Sequence, residues 1–140
     1  MAKDRKFFVG QKAFIEKDGE VLILFDEKSK IDIPGGKIQE EENDLVESLK
    51  REIREETNLE IEGGDPFATW YYEFGPEFEH AGMRVFVIGY KCKYVSGDLE
   101  KSDEHTNFQF QWVDGNSYKK LNGAGKRFSA LEKYFKTKTN

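Results

Sequence analysis

The stretch that decides the reading is "GGKIQEEENDLVESLKREIREETNL", Gly35 to Leu59, which ends in a run of charge, Arg51-Glu52-Ile53-Arg54-Glu55-Glu56. If this segment is helical, Glu52 and Glu56 stand one turn apart with Glu55 beside them, and three negative side chains share one stripe. Like charges at that spacing cost an isolated helix roughly 0.2–0.5 kcal/mol per pair. A sequence that breaks a local rule commonly does so at a functional site. A bound cation needing several oxygen ligands resolves the repulsion.

The rest of the segment supports the helix. Leu45, Leu49 and Ile53 recur every four residues and predict an apolar stripe facing a core. Asn43 and Asp44 are both good N-caps, and Asp44 with Glu47 three residues on resembles a capping box. Asn58 predicts a left-handed stop. At about 100° per residue the Glu52/Glu55/Glu56 stripe lies next to the apolar one, at the edge of a packed surface where a cleft can form.

Working outward, "FFVGQKAFIEKDGEVLILFDE" predicts two strands, about 7–16 and 20–25, joined at Lys17-Asp18-Gly19, since Asp-Gly is a strong hairpin signal. "KIDIPGG" predicts a short strand that runs into a loop at Pro34 and the two glycines. After "GGDP", the runs 67–74, 83–95 and 108–113 read as strands, and 125–135 as a closing amphipathic helix carrying Phe128, Leu131, Tyr134 and Phe135. Strands on both sides of one central helix predict an α/β (α+β) chain: a mixed sheet with helices on its faces.

Composition narrows the function. The chain has 140 residues, the size of one domain with a genuine core, with 37% hydrophobic residues, 35% charged residues and twelve Phe, which argues against disorder. Its net charge of −5 argues against wholesale binding to a nucleic-acid polymer, which relies on clustered Lys and Arg. The single cysteine, Cys92, leaves no internal disulfide and no cysteine-rich zinc site, and its place in an apolar strand reads as a small buried residue. "MAKDRKFFVG" has no apolar run of signal-peptide length, and the aliphatic run 21–25 is too short to span a bilayer. The expectation is a cytoplasmic protein without a membrane partner.

Residues 36–59 resemble the signature of the Nudix hydrolases: a Gly, five residues, a Glu, seven residues, then Arg-Glu-aliphatic-x-Glu-Glu-x-Gly-aliphatic. Here Gly36, Glu42, Arg51, Glu52, Ile53, Glu55, Glu56 and Leu59 supply it. Two departures stand out. One extra residue separates Glu42 from Arg51, which leaves open whether Glu41 or Glu42 takes the leading position, and Asn58 replaces the final Gly. Asn tolerates the same left-handed conformation.

The resemblance extends over nearly the whole chain, residues 1–140, and implies one domain folded as an α/β/α sandwich. It implies a magnesium-dependent pyrophosphohydrolase, with manganese as a substitute, which cleaves the diphosphate of a small nucleoside diphosphate derivative such as a nucleoside triphosphate or a nucleotide sugar. Homodimers occur among such proteins. It assigns the metal to the Gly36 carbonyl and to Glu52, Glu55 and Glu56, and it gives Arg51 an orienting role. The proton acceptor would be Glu55 or Glu104, the latter in "SDEH" shortly before Trp112.

The chemistry fits those residue types on its own terms. A diphosphate is attacked slowly by water unless cations screen it and acidify the water, and magnesium prefers oxygen ligands. Trp70 and Tyr72, with Tyr71 and Phe74, could stack a nucleobase, although aromatics on strands also serve simply to pack a core.

Two other functions compete. A non-catalytic nucleotide-binding sensor of the same fold would be expected to lose catalytic glutamates, and the carboxylate set is intact. An isoprenoid diphosphate isomerase would want a catalytic Cys near the site, and Cys92 has no supporting motif.

Overall fold

The computed structural model describes residues 2–26, 30–101, 107–121 and 125–138, in the last of these without the side chain of residue 138. Seven strands form one mixed sheet: β1 (Phe8–Lys17), β2 (Glu20–Phe25), β3 (Ile31–Asp32), β4 (Gly35–Lys37), β5 (Glu60–Glu73), β6 (Arg84–Ser96) and β7 (Gln109–Val113). Helix α1 (Leu45–Thr57) lies between β4 and β5. A 3-10 turn (Ser117–Lys120) and helix α2 (Lys126–Lys138) follow β7.

Along the sheet the order is β3-β2-β1-β6-β5, with β4 paired to β1 and β7 paired to β2. Among the described residues only β1 and β6 run parallel, and the sheet is mixed as expected. The β1–β2 hairpin turns on Asp18 (φ 52°) and Gly19 (φ 80°). Positive φ at both central residues matches the twist of the flanking strands, which is why Asp-Gly marks the position.

Alternation along β1 divides the core. Phe14 points to one face, where it joins Val21, Ile23 and Val113 beneath Leu131, Tyr134 and Phe135 of α2. Ala13 and Ile15 point to the other, where they meet Leu22, Leu59, Ile61 and Cys92 beneath Leu49 and Ile53 of α1. The result is a sheet with one helix on each face. No helix among the described residues is long and apolar enough to cross a membrane.

Three local expectations are corrected. Gly35 and Gly36 do not lie in a loop: β4 pairs with β1 through Lys12↔Gly35, Gln11↔Gly36 and Gly10↔Lys37. The strand after α1 begins at Glu60 rather than at Phe67, because "GGDP" is a pair of irregularities inside β5, with register shifts at Glu62/Asp65 and Pro66/Ala68. A Cβ on Gly64 would lie 1.2 Å from the Lys91 carbonyl oxygen, so the glycine there permits close strand approach rather than a turn. Pro66 is tolerated because β5 is the last strand on its side of the sheet.

The third correction is Leu45, which is 44% exposed, whereas Leu49 and Ile53 are buried. Leu45 is the first helical residue, and the first turn of α1 meets β5 through Val46, which leans against Gly63.

The two ends of the apolar stripe therefore differ in energetic weight. Ile53→Ala is expected to cost about 2–5 kcal/mol, the range for emptying a packed site, and Leu45→Ala less than about 1 kcal/mol. Urea denaturation of the two variants beside the parent measures both.

Candidate active site

Helix α1 starts on Asp44, whose side chain accepts the Glu47 N–H at 3.0 Å, and ends on Asn58 in the left-handed conformation (φ 65°), whose N–H reaches the Arg54 carbonyl. Of the two possible caps, Asp44 is the one used. The exit through Asn58 satisfies the last turn as the usual glycine would.

Between β4 and α1 the chain turns at Glu40-Glu41, and the Glu42 N–H donates to the Gln39 carbonyl at 3.0 Å. The turn leaves Glu41 exposed and brings Glu42 onto Arg51, with Nε to Oε2 at 2.7 Å and Nη2 to Oε1 at 2.9 Å. Ser48 also donates its hydroxyl to Glu42 at 2.8 Å. Of Glu41 and Glu42, the one that engages Arg51 is Glu42.

Arg51 spreads its guanidinium over two further carboxylates, Glu52 at 2.8 Å and Glu55 at 2.9 Å. Hydrogen bonding to Arg51 and to the Gln39 N–H holds Glu42 down to about 2, well below its ordinary value near 4.5. The Glu52 carboxylate packs against the backbone of Gly36, where a Cβ would come within 2.4 Å of it. Glu55 stays open to solvent, its side chain 61% exposed.

Glu56 turns inward. It is 9% exposed, and its Oε1 accepts the Gly35 N–H at 3.1 Å. Burial pushes its carboxyl up to about 7 against the opposing pull of Lys12 and the Gly35 N–H, while the charges of Asp32 and Glu52 push the same way as burial.

The opposite wall holds groups that the sequence analysis did not single out. Lys12 of β1 lies 3.2 Å from Asp32 Oδ1, and Arg127, at the start of α2, places Nε 2.8 Å from the same oxygen. Arg127 sits over the Tyr72 ring at 5.8 Å, Tyr72 meets Phe74 edge-on at 5.5 Å, and Lys37 sits over Phe74 at 5.6 Å. The contacts thus run as a chain from Arg51 and Glu52 past the Gly35-Gly36 backbone to Glu56, and from Lys12 and Asp32 through Arg127 and Tyr72 to Phe74 and Lys37.

One signal was available for Lys12. Gln11-Lys12 is a polar pair between the apolar residues Val9 and Ala13-Phe14-Ile15 of β1. Nothing local marks Arg127, because α2 reaches the cleft only through the fold.

The two aromatic candidates occupy different depths. Trp70 packs against the core beneath α2, whereas Tyr72 stands at the cleft wall. Glu104 and His105 lie outside the described residues. Cys92 is buried among the residues beneath α1, and burial pushes its thiol up to about 12, so it is an inert core residue rather than a nucleophile.

Among the described residues no three Asp, Glu, His or Cys side chains stand ready as a cation cage. Arg51 engages Glu52 and Glu55 instead. The donor set nonetheless suits a hard divalent cation: the charge of Glu52 adds to the cost of ionising the buried Glu56, both side chains are oxygen donors, and both lie against the glycine backbone.

A profile of the NUDIX domain matches residues 9–134. No curated protein matches the chain. Among solved structures it is similar to a MutT protein from Methanosarcina mazei, at 24% identity over 99% of each chain and a TM-score of 0.76. It is similar to the ORF135 protein of E. coli, at 22% identity over 92% of this chain and 89% of that one, with a TM-score of 0.70. An ADP-ribose pyrophosphatase from Streptococcus suis aligns at 16% identity over 75% of this chain and 73% of that one, with a TM-score of 0.56. At these identities the likeness establishes the fold.

The lowered value of Glu42 carries a stability consequence. A carboxyl depressed in the folded state stabilises the protein above its unfolded value, near 4.5, and loses that contribution as pH falls toward 2. The melting temperature of the metal-free parent should therefore fall more steeply between pH 4.5 and 2 than that of Glu42→Gln, with the difference between them shrinking as acid is added.

Proposed function

The chain belongs to the Nudix family of hydrolases acting on phosphorus anhydrides, and from that premise we propose that it cleaves the diphosphate linkage of a small nucleoside diphosphate derivative by attack of water. One observation carries the proposal. The Glu52 and Glu56 carboxylates converge on the Gly35-Gly36 backbone while Arg51 ties Glu52 to Glu42 and Glu55.

Glu52, Glu56 and the Gly36 carbonyl would hold a divalent cation, magnesium or manganese, with Glu55 available at the open edge. Bound there, such a cation screens the phosphates and lowers the pKa of water. The rest of the work falls to the chain. Arg51 orients Glu52 and Glu55. Glu55 or Glu104 accepts the proton from water as the new P–O bond forms and the bridging P–O bond breaks. The fragments leave as a nucleoside monophosphate and a second phosphate-bearing group.

On the far wall, Tyr72 offers a ring for a nucleobase, with Trp70 supporting the strand beneath it. Lys12, Lys37 and Arg127 supply positive charge where an anionic substrate must sit. A diphosphate ester entering a cleft with three flanking cations and an Arg-bridged carboxylate cluster meets charge of both signs, each placed for a different part of the molecule.

The test is nucleotide or phosphate release from a panel of nucleoside triphosphates, nucleotide sugars, ADP-ribose and dinucleoside polyphosphates, with magnesium or manganese and with chelator. Turnover is expected for one class and should vanish with chelator. Glu56→Gln should lower it by more than the roughly 10–100-fold typical of losing an outer-shell partner of a metal site. Glu55→Gln should lower it roughly 100-fold or more if Glu55 is the proton acceptor, and Glu104→Gln should do so if it is not. Near-parent rates in both Glu55→Gln and Glu56→Gln would refute the site.

A further inference from the structure

Strand β1 carries one buried side chain that packing does not account for. Gln11 is 1% exposed and shares the α1-facing side of the strand with Ala13 and Ile15. Ser48, Glu56 and Thr57, the other buried polar residues among those described, find partners in Glu42, the Gly35 N–H and the Ile53 carbonyl. Gln11 is met at one end only. Its Nε2 donates to the Leu45 carbonyl at 2.8 Å, whereas its Oε1 is buried without a hydrogen-bond partner among the described residues. An unmet buried acceptor lowers stability, and an apolar side chain of the same length would avoid that cost.

The neighbours of the amide point to its use. Gln11 is the β1 residue opposite Gly36, and Gly36 is the backbone against which Glu52 packs. The carbonyl that Gln11 holds, that of Leu45, stands about two turns before Glu52 along α1. One side chain therefore links the platform to the helix that lays a carboxylate on it. Apolar packing holds this end of the helix weakly: Leu45 and Val46 are 44% and 38% exposed, whereas Leu49 and Ile53 are buried. The same turn ends at Ser48, which with Arg51 holds Glu42.

Resting on the reading of the cleft as a hydrolytic site, we infer that Gln11 is a positioning residue of that site. Its amide ties the first turn of α1 to β1 and so fixes the height of Glu52 over Gly36. The unmet Oε1 is tolerated because the site needs that tie. Without it the helix stays docked through Leu49 and Ile53, and its first turn shifts on the sheet.

Gln11→Met keeps the length of the side chain and removes both polar atoms, while the Leu45 carbonyl keeps its helical bond from the Leu49 N–H. With the substrate class found for the parent and saturating magnesium, kcat should fall about 10-fold or more, since a misplacement on the order of 1 Å can cost about 100-fold. KM should stay within about twofold, because Lys12, Tyr72 and Arg127 stand on the other wall. The metal-free melting temperature should equal the parent's or exceed it. Amide hydrogen exchange should quicken at Ser48 and Leu49 and not at Ile53.

A kcat, or an exchange rate at Ser48 and Leu49, equal to the parent's overturns the inference and leaves the proposed hydrolase intact. So does a fall in kcat that comes with a lower melting temperature, which a packing role explains by itself. Gln11→Leu decides by the same readings should circular dichroism show the Met variant unfolded, and unfolding of both overturns the inference. A parent that turns over no member of the substrate panel removes the hydrolytic reading, and this inference with it.

Discussion

Two side chains that are absent hold the architecture of the cleft together. At Gly35 a Cβ would lie 1.9 Å from the Gln11 carbonyl oxygen, at a φ of 151°, and at Gly36 it would lie 2.4 Å from the Glu52 carboxylate. Because neither is there, β4 can pair with β1 on one side and receive the glutamates of α1 on the other. The Gly35 N–H then becomes a hydrogen-bond donor to Glu56, and the backbone of Gly36 becomes the surface on which Glu52 rests. A side chain at Gly35 would push β4 off β1, and one at Gly36 would displace the Glu52 carboxylate from the backbone it rests on.

The helix repulsion with which the sequence begins is handled by geometry rather than removed. Glu42, arriving from the turn before α1, adds a third carboxylate to Arg51 and fixes the guanidinium so that it can bridge Glu52 and Glu55. Glu56 is taken out of the competition by pointing inward to Gly35 and to the Lys12–Asp32 pair. Four carboxylates of one segment are thus divided between two environments: Glu42, Glu52 and Glu55 are bridged by Arg51, with only Glu55 exposed, and Glu56 is buried. The division gives one segment a Glu42 carboxyl held low by Arg51 and a Glu56 carboxyl pushed up by burial.

Much of this was legible in the sequence, for local reasons. The Asp18-Gly19 turn, the Asp44 cap and the Asn58 stop each depend on the backbone preferences of one or two residues. The Arg51–Glu55 contact follows from one helical turn. The readings that needed correction all involve partners distant in sequence. "GGDP" looks like a turn until Lys91 is known to lie against Gly64. Leu45 looks like a core residue until Val46 is found against Gly63, and the glycines of β4 look like a loop until β1 is found beside them.

The sequence by itself determined the family, the mixed sheet with a helix on each face, and the identity of the carboxylate helix, because these rest on periodicity, capping and a spaced motif. Only the tertiary structure decided which glutamate engages Arg51, which carboxylate is buried, and that Lys12 and Arg127 meet at Asp32. The physical reason is separation along the chain. Lys12 and Arg127 meet one carboxylate only after β1, β3 and α2 have packed, and an ion pair assembled from three elements leaves no local trace beyond the polar Gln11-Lys12 pair of β1.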